Sequence, residues 1–152
     1  MYYISIILVS LFFNFSNTNS YYAKRITTEH RDQNKGRVLL KKYCYSCHNP
    51  KASESDRIAP PMIAVKKHYK KSNTTQEEFI ASIQNWIKNP IKENSRMTGA
   101  IGKFGIMPKQ YFSDETIKEI SIYMYNNNIE KPKWFDEHHK NKSKNHNKQT
   151  KH

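Results

Sequence analysis

An all-α domain is what the sequence predicts. Apolar residues recur at helical three- and four-residue spacing in three separate stretches, and capping signals stand at the starts of two of them. No pair of runs alternates as two strands of a sheet would, and there is no internal repeat.

The chain has 152 residues, the length of one domain. Residues 1–15 are almost wholly apolar and are followed by Ser16, Asn17, Thr18, Asn19 and Ser20. Residues 1–20 are therefore expected to act as a secretory signal peptide. The run is short against the about 20 apolar residues of a bilayer-spanning helix. No Lys or Arg precedes it, so an uncleaved N-terminal anchor is the alternative.

Residues 21–32 read as a polar linker and residues 33–128 as the folded domain. A first helix is expected over about 33–43, with Gly36, Leu39, Leu40 and Tyr43 on one face. Asn49-Pro50 closes that element, and residues 51–59 form a polar loop. Pro60-Pro61 stiffens the chain ahead of a short helix over 62–69, because proline fixes φ and disfavours helix in the residue before it. Thr75 and Glu78 have capping-box spacing. Phe79, Ile80, Ile83, Trp86 and Ile87 continue as an apolar stripe until Asn89-Pro90 stops it.

Residues 91–112 contain Gly99, Gly102 and Gly105 and are expected to be an ordered loop. Ser113 caps a last helix whose first turn holds Asp114 and Glu115, where acids suit the helix dipole. Ile117, Ile120 and Met124 form its buried face with Tyr123 beside them, and Asn126-Asn127-Asn128 ends it. Residues 129–152 are rich in Lys, Asn and His and are expected to be a basic tail without fixed structure. Metal capture by His138, His139, His146 and His152 is the competing reading of that composition.

The formal charge is +13, from 26 Lys and Arg against 13 Asp and Glu. Such an excess suits acidic docking surfaces on a protein partner, or association with an anionic membrane surface. Coding DNA rich in A and T would give the same abundance of Lys, Asn and Ile. Nucleic acid is not an expected partner, since the lysines are scattered and no reading motif is present.

The chemistry is carried by Cys44-Tyr45-Ser46-Cys47-His48. Cys-x-x-Cys-His is the pattern of c-type haem attachment. Two thiols add across the two vinyl groups of haem, and the next residue is then held beneath the iron as its ligand. Two other uses of the pair were open. A zinc site would need two further ligands, with only His68 or the tail histidines to supply them at no familiar spacing. A thioredoxin-like redox pair would follow a strand, whereas this motif follows a helical pattern.

A methionine on the other side of the iron raises the reduction potential of such a centre. Met62, Met97, Met107 and Met124 are the candidates, with His68 as a bis-histidine alternative and an open position as a third. Met124 reads as core. Met107 is favoured because it lies in Gly105-Ile106-Met107-Pro108, an extended run that could bring a thioether to a haem face.

These features occur in an order that resembles the class I mono-haem cytochromes c over roughly residues 33–127. Gly36 stands eight residues before Cys44, the Cys44, Cys47, His48 motif follows, then Met107-Pro108, then Tyr123 in the last helix. The resemblance implies a cytochrome c fold with the first and last helices crossing around one covalently bound haem c. It implies Gly36 at the crossing with Tyr123 beside it. Cys44 and Cys47 would carry the haem, with His48 as proximal and Met107 as distal iron ligand. Pro60 and Pro61 would pack on the His side, and Trp86 would contact a haem propionate or serve as core. Leu40 stands where an aromatic is common, and Trp134-Phe135 has no counterpart.

The function so implied is a periplasmic carrier of single electrons between a donor and an acceptor, not an enzyme in itself. A haem-based sensor or enzyme subunit with an open or displaceable sixth iron position is the alternative. A structural zinc module is a further rival.

Overall fold

The computed structural model describes residues 34–141. The expected signal peptide at 1–20, the linker at 21–32 and the end of the tail, with His146 and His152, lie outside the described residues. Among the described residues there are six α-helices and no strand, so the all-α expectation holds. They are α1 (34–43), α2 (Met62–Tyr69), α3 (Gln76–Lys88), α4 (Thr98–Phe104), α5 (Asp114–Asn126) and α6 (135–141), with a 3-10 turn at Lys92–Asn94.

Local chemistry starts the two longest helices. At α3 the Thr75 hydroxyl accepts from the Glu78 backbone N–H at 3.2 Å, and Glu78 Oε2 accepts from the Thr75 N–H at 2.9 Å. This is the complete capping box, satisfying two donors that the helix itself leaves unpaired. At α5 the Ser113 hydroxyl accepts from the Thr116 N–H at 3.2 Å.

Helices α3 and α5 pack along their apolar stripes. Phe79 packs against Tyr125 with the rings tilted and centroids 5.7 Å apart, and Gln84 Nε2 donates to the Asp114 carbonyl at 3.1 Å. Leu40, Phe79, Ile117 and Met124 are fully buried in the core they share with α1. Met124 is therefore a core residue, as the stripe predicts.

The C-terminal carbonyls of α5 are satisfied by lysines of α2. Lys66 Nζ donates to Asn127 O at 2.7 Å and Lys70 Nζ to Tyr125 O at 2.9 Å. Cations at a helix C-terminus are favoured by its dipole. Burial, and then the neighbouring Lys70 charge, hold the Lys66 pKa below its ordinary value.

Helix α1 meets α5 at Gly36, which is buried. A Cβ there would lie 2.4 Å from the Glu119 carbonyl oxygen, nearer than real Cβ atoms come. The absent side chain is what lets the two backbones approach.

Two expectations need correction. Residues 91–112 are not a plain loop, since they contain the 3-10 turn and α4. Met97, Ile101 and Phe104 are spaced to share a face of that helical segment, and Gly105 ends it at φ +77°, where glycine pays no steric penalty. The segment after 128 is not unpacked tail either. Ile129, Pro132 and Phe135 are buried, and residues 135–141 are helical.

Candidate cofactor cavity

The Cys44–His48 motif is the turn that closes α1. Cys44 N–H donates to Leu40 O at 2.9 Å, and His48 N–H donates to Cys44 O at 2.9 Å. This winding brings Cys44, Cys47 and His48 onto one cavity of about 380 Å³. Neither thiol is in a disulfide, with Cys44 half-buried and Cys47 exposed. Burial, and second the charge of Cys47, push the Cys44 thiol up to about 12.

His48 is oriented by the chain that follows it. Its Nδ1 lies 2.6 Å from the Pro60 carbonyl oxygen. A carbonyl can only accept, so Nδ1 carries the proton and Nε2 keeps its lone pair. Burial lowers the His48 pKa below its ordinary value, opposed in part by the bond to Pro60. The ring is therefore a neutral imidazole with one nitrogen engaged and the other available as a donor to a metal.

The rest of the wall comes from the end of the 49–60 loop, α2, α3 and the segment 95–112. Met107 lines the cavity, as do Trp86 and Pro60. Pro61 does not line it. It is buried and stands at the N-terminus of α2, where its carbonyl accepts from Ala64 N at 2.8 Å. Its place in the cavity wall is taken by the next residue, Met62, which is 6% exposed. Met97 is also in the wall, so three of the four candidate thioethers converge here while Met124 does not. His68 lies on the exposed side of α2 and does not line the cavity.

Sequence reasoning missed Ile101 and Phe104 of α4 and Ile58 of the preceding loop, all of which line the cavity. The spacing Met97, Ile101, Phe104 was the available signal, masked by the glycines between them.

The cavity is thus a mostly apolar space edged by two thiols, one imidazole nitrogen and three thioethers. Its size and lining are those of a site for a largely apolar small molecule with a few fixed polar anchors. Imidazole and thioether together suit a redox-active iron or copper better than a hard cation. Among the described residues no three His, Cys, Asp or Glu side chains converge as a group that could hold a metal ion on their own.

No family model matches the chain, and no solved structure does. An uncharacterized protein of Aquifex aeolicus (strain VF5) is 28% identical over 117 residues, which cover 65% of this chain and 77% of that protein. Among the described residues no helix is long and apolar enough to cross a membrane.

Proposed function

We propose that the chain is a single-haem c-type cytochrome that passes electrons one at a time between redox proteins outside the cytoplasm. The observation that carries this reading is that Cys44, Cys47, His48 and Met107, four residues set up to 63 positions apart, line one apolar cavity. The engaged Nδ1 of His48 supports it, because that hydrogen bond leaves Nε2 to bind a metal. The close approach of α1 and α5 at Gly36 supports a cytochrome c fold.

Haem c, when bound, supplies an iron that cycles between Fe(III) and Fe(II). The chain's residues have separate tasks around it. Cys44 and Cys47 would tether the ring through thioethers, while His48 and Met107 would ligate its iron. Trp86, Pro60, Met62 and Phe104 line the cavity and would exclude water from the bound group, so limiting solvent reorganisation. With His48 and Met107 both engaged, the iron would offer no site to a substrate, and the role would be electron carriage rather than catalysis.

The lysine excess supports donor and acceptor partners with acidic docking surfaces, whose encounter rate falls as salt rises. Association with an anionic membrane surface follows from the same charge. The apolar N-terminal sequence supports export to the periplasm, with an N-terminal anchor as its variant.

Visible spectra of the exported protein, oxidised and reduced, test this reading. Low-spin spectra in both states and no binding of carbon monoxide are expected. The alternative is a haem-based sensor or enzyme subunit with an open or displaceable sixth iron position. A high-spin spectrum with ready carbon monoxide binding would decide for that alternative. A colourless protein would remove both.

A further inference from the structure

Arg57 sits in the loop that joins His48 to Pro60, and its side chain is 8% exposed. Its Nε and Nη1 are buried without a hydrogen-bond partner. Glu54 Oε1 stands 3.7 Å from Nη1, an ion-pair distance too long for a hydrogen bond, and is itself 2.5 Å from His138 Nδ1. A buried cation left so nearly bare is costly unless something else holds it.

Aromatic faces hold it. The Arg57 guanidinium carbon is 4.4 Å from the Trp134 ring centroid and 5.6 Å from that of Phe104. Both distances are within cation–π range, and the attraction grows when the cation is desolvated. Trp134 is fixed in turn. Its Nε1–H donates to Ala52 O at 2.9 Å, and the next residue, Phe135, is buried at 4% exposure.

The three side chains come from three distant parts of the chain. Arg57 belongs to the loop whose two ends are His48 and its hydrogen-bond partner Pro60. Phe104 ends α4, lines the cavity, and is three residues before Met107. Trp134 immediately precedes α6. Between Phe104 and Met107 lies Gly105, with its positive φ, and Ile106, which is 50% exposed. The Gly105 N–H donates to Ile101 O at 2.8 Å and Gln110 Nε2 donates to Pro108 O at 3.0 Å, bonds within the same stretch of chain that do not tie it to the His48–Pro60 loop.

We propose that Arg57 and Trp134 are positioning residues, forming a latch that ties the His48–Pro60 loop to the segment leading into Met107 and so keeps the Met107 thioether on the metal. This rests on the haem reading above. Loosening the latch frees Phe104, and with it the run to Met107. An external ligand would then compete with Met107 for a bound haem iron at lower cost.

The test uses the full-length chain exported from a haem-competent host, as wild type, Trp134→Ala, Trp134→Phe and Arg57→Gln. Imidazole is titrated into each oxidised protein, and unfolding in urea is measured alongside. Trp134→Ala and Arg57→Gln should bind imidazole roughly tenfold more tightly than wild type. Trp134→Phe, which keeps an aromatic face for the guanidinium, should stay close to wild type. Equal imidazole affinity in all four proteins overturns the proposal, and so does a lower urea midpoint without a change in affinity. If wild type carries no haem, the functional reading fails and the latch is tested separately on the cofactor-free chain. There, amide hydrogen exchange over residues 104–109 should be roughly tenfold faster in Trp134→Ala and Arg57→Gln. Unchanged exchange overturns the latch.

Discussion

Gly36 of α1 lies so near Tyr123 of α5 that a Cβ on the glycine would come within 2.6 Å of the Tyr123 Cβ. The Glu119 carbonyl would be nearer still, at 2.4 Å, and backbone cannot swing away as a side-chain tip can. Gly36→Ala therefore sets two effects against each other. Helix propensity favours alanine by about 1 kcal/mol, whereas forcing packed helices apart costs about 1–3 kcal/mol. The clash should win, and urea unfolding should show a net loss of stability. A gain would mean that the two helices are not in backbone contact.

Met62, Met97 and Met107 all line the cavity, so substitution separates ligand from wall. In the haem-loaded protein Met107→Ala should abolish the thioether-to-iron charge-transfer band of the oxidised form and permit carbon monoxide binding. The reduction potential should fall, because a thioether ligand raises it. Met62→Leu and Met97→Leu should leave the band in place. Loss of the band in Met97→Leu but not in Met107→Ala would reassign the ligand.

The two cysteines should differ in reactivity before any cofactor is attached. Cys47 is exposed, while burial pushes the Cys44 thiol from its ordinary 9.0 up to about 12. The thiolate is the reactive form. Timed alkylation at neutral pH followed by mass spectrometry should modify Cys47 first, with Cys44 catching up only in strong alkali or on unfolding. The same shift has a consequence for stability. A folded-state pKa above the unfolded value favours folding fully below about pH 9, and that contribution is lost as pH rises from 9 towards 12.

Thr75 should matter by itself. Thr75→Ala removes the acceptor for the Glu78 N–H and breaks the capping box of α3. The expected loss is about 1 kcal/mol, read as a lower urea midpoint with an unchanged slope.

Helices α3 and α5 were legible in the sequence because what starts them is local, in Thr75 with Glu78 and in Ser113. Helix α4 was not, because Gly99 and Gly102 oppose helix by propensity while the residues that favour it, Met97, Ile101 and Phe104, line a cavity that only the fold creates. The packed part of the tail was hidden in the same way. Among its many lysines and histidines, Ile129, Pro132 and Phe135 are the buried anchors, and Pro132 disfavours the helix that their three-residue spacing would otherwise suggest. Cys44, Cys47 and His48 could be read as a site because they are contiguous. That Pro60 reaches His48 while Pro61 serves α2 depends on where the loop returns, twelve residues after His48. The Arg57–Trp134 stack joins residues 77 positions apart and had no signature to read.

Mass spectrometry of the intact chain, exported from a host able to attach haem, most directly tests whether Cys44 and Cys47 carry a porphyrin with His48 beneath its iron. The mature protein should exceed its polypeptide mass by one haem, with the addition confined to the peptide holding both cysteines and absent from the double variant Cys44→Ser, Cys47→Ser. A folded wild-type chain of bare polypeptide mass, recovered from a host that loads other such proteins, would contradict that assignment.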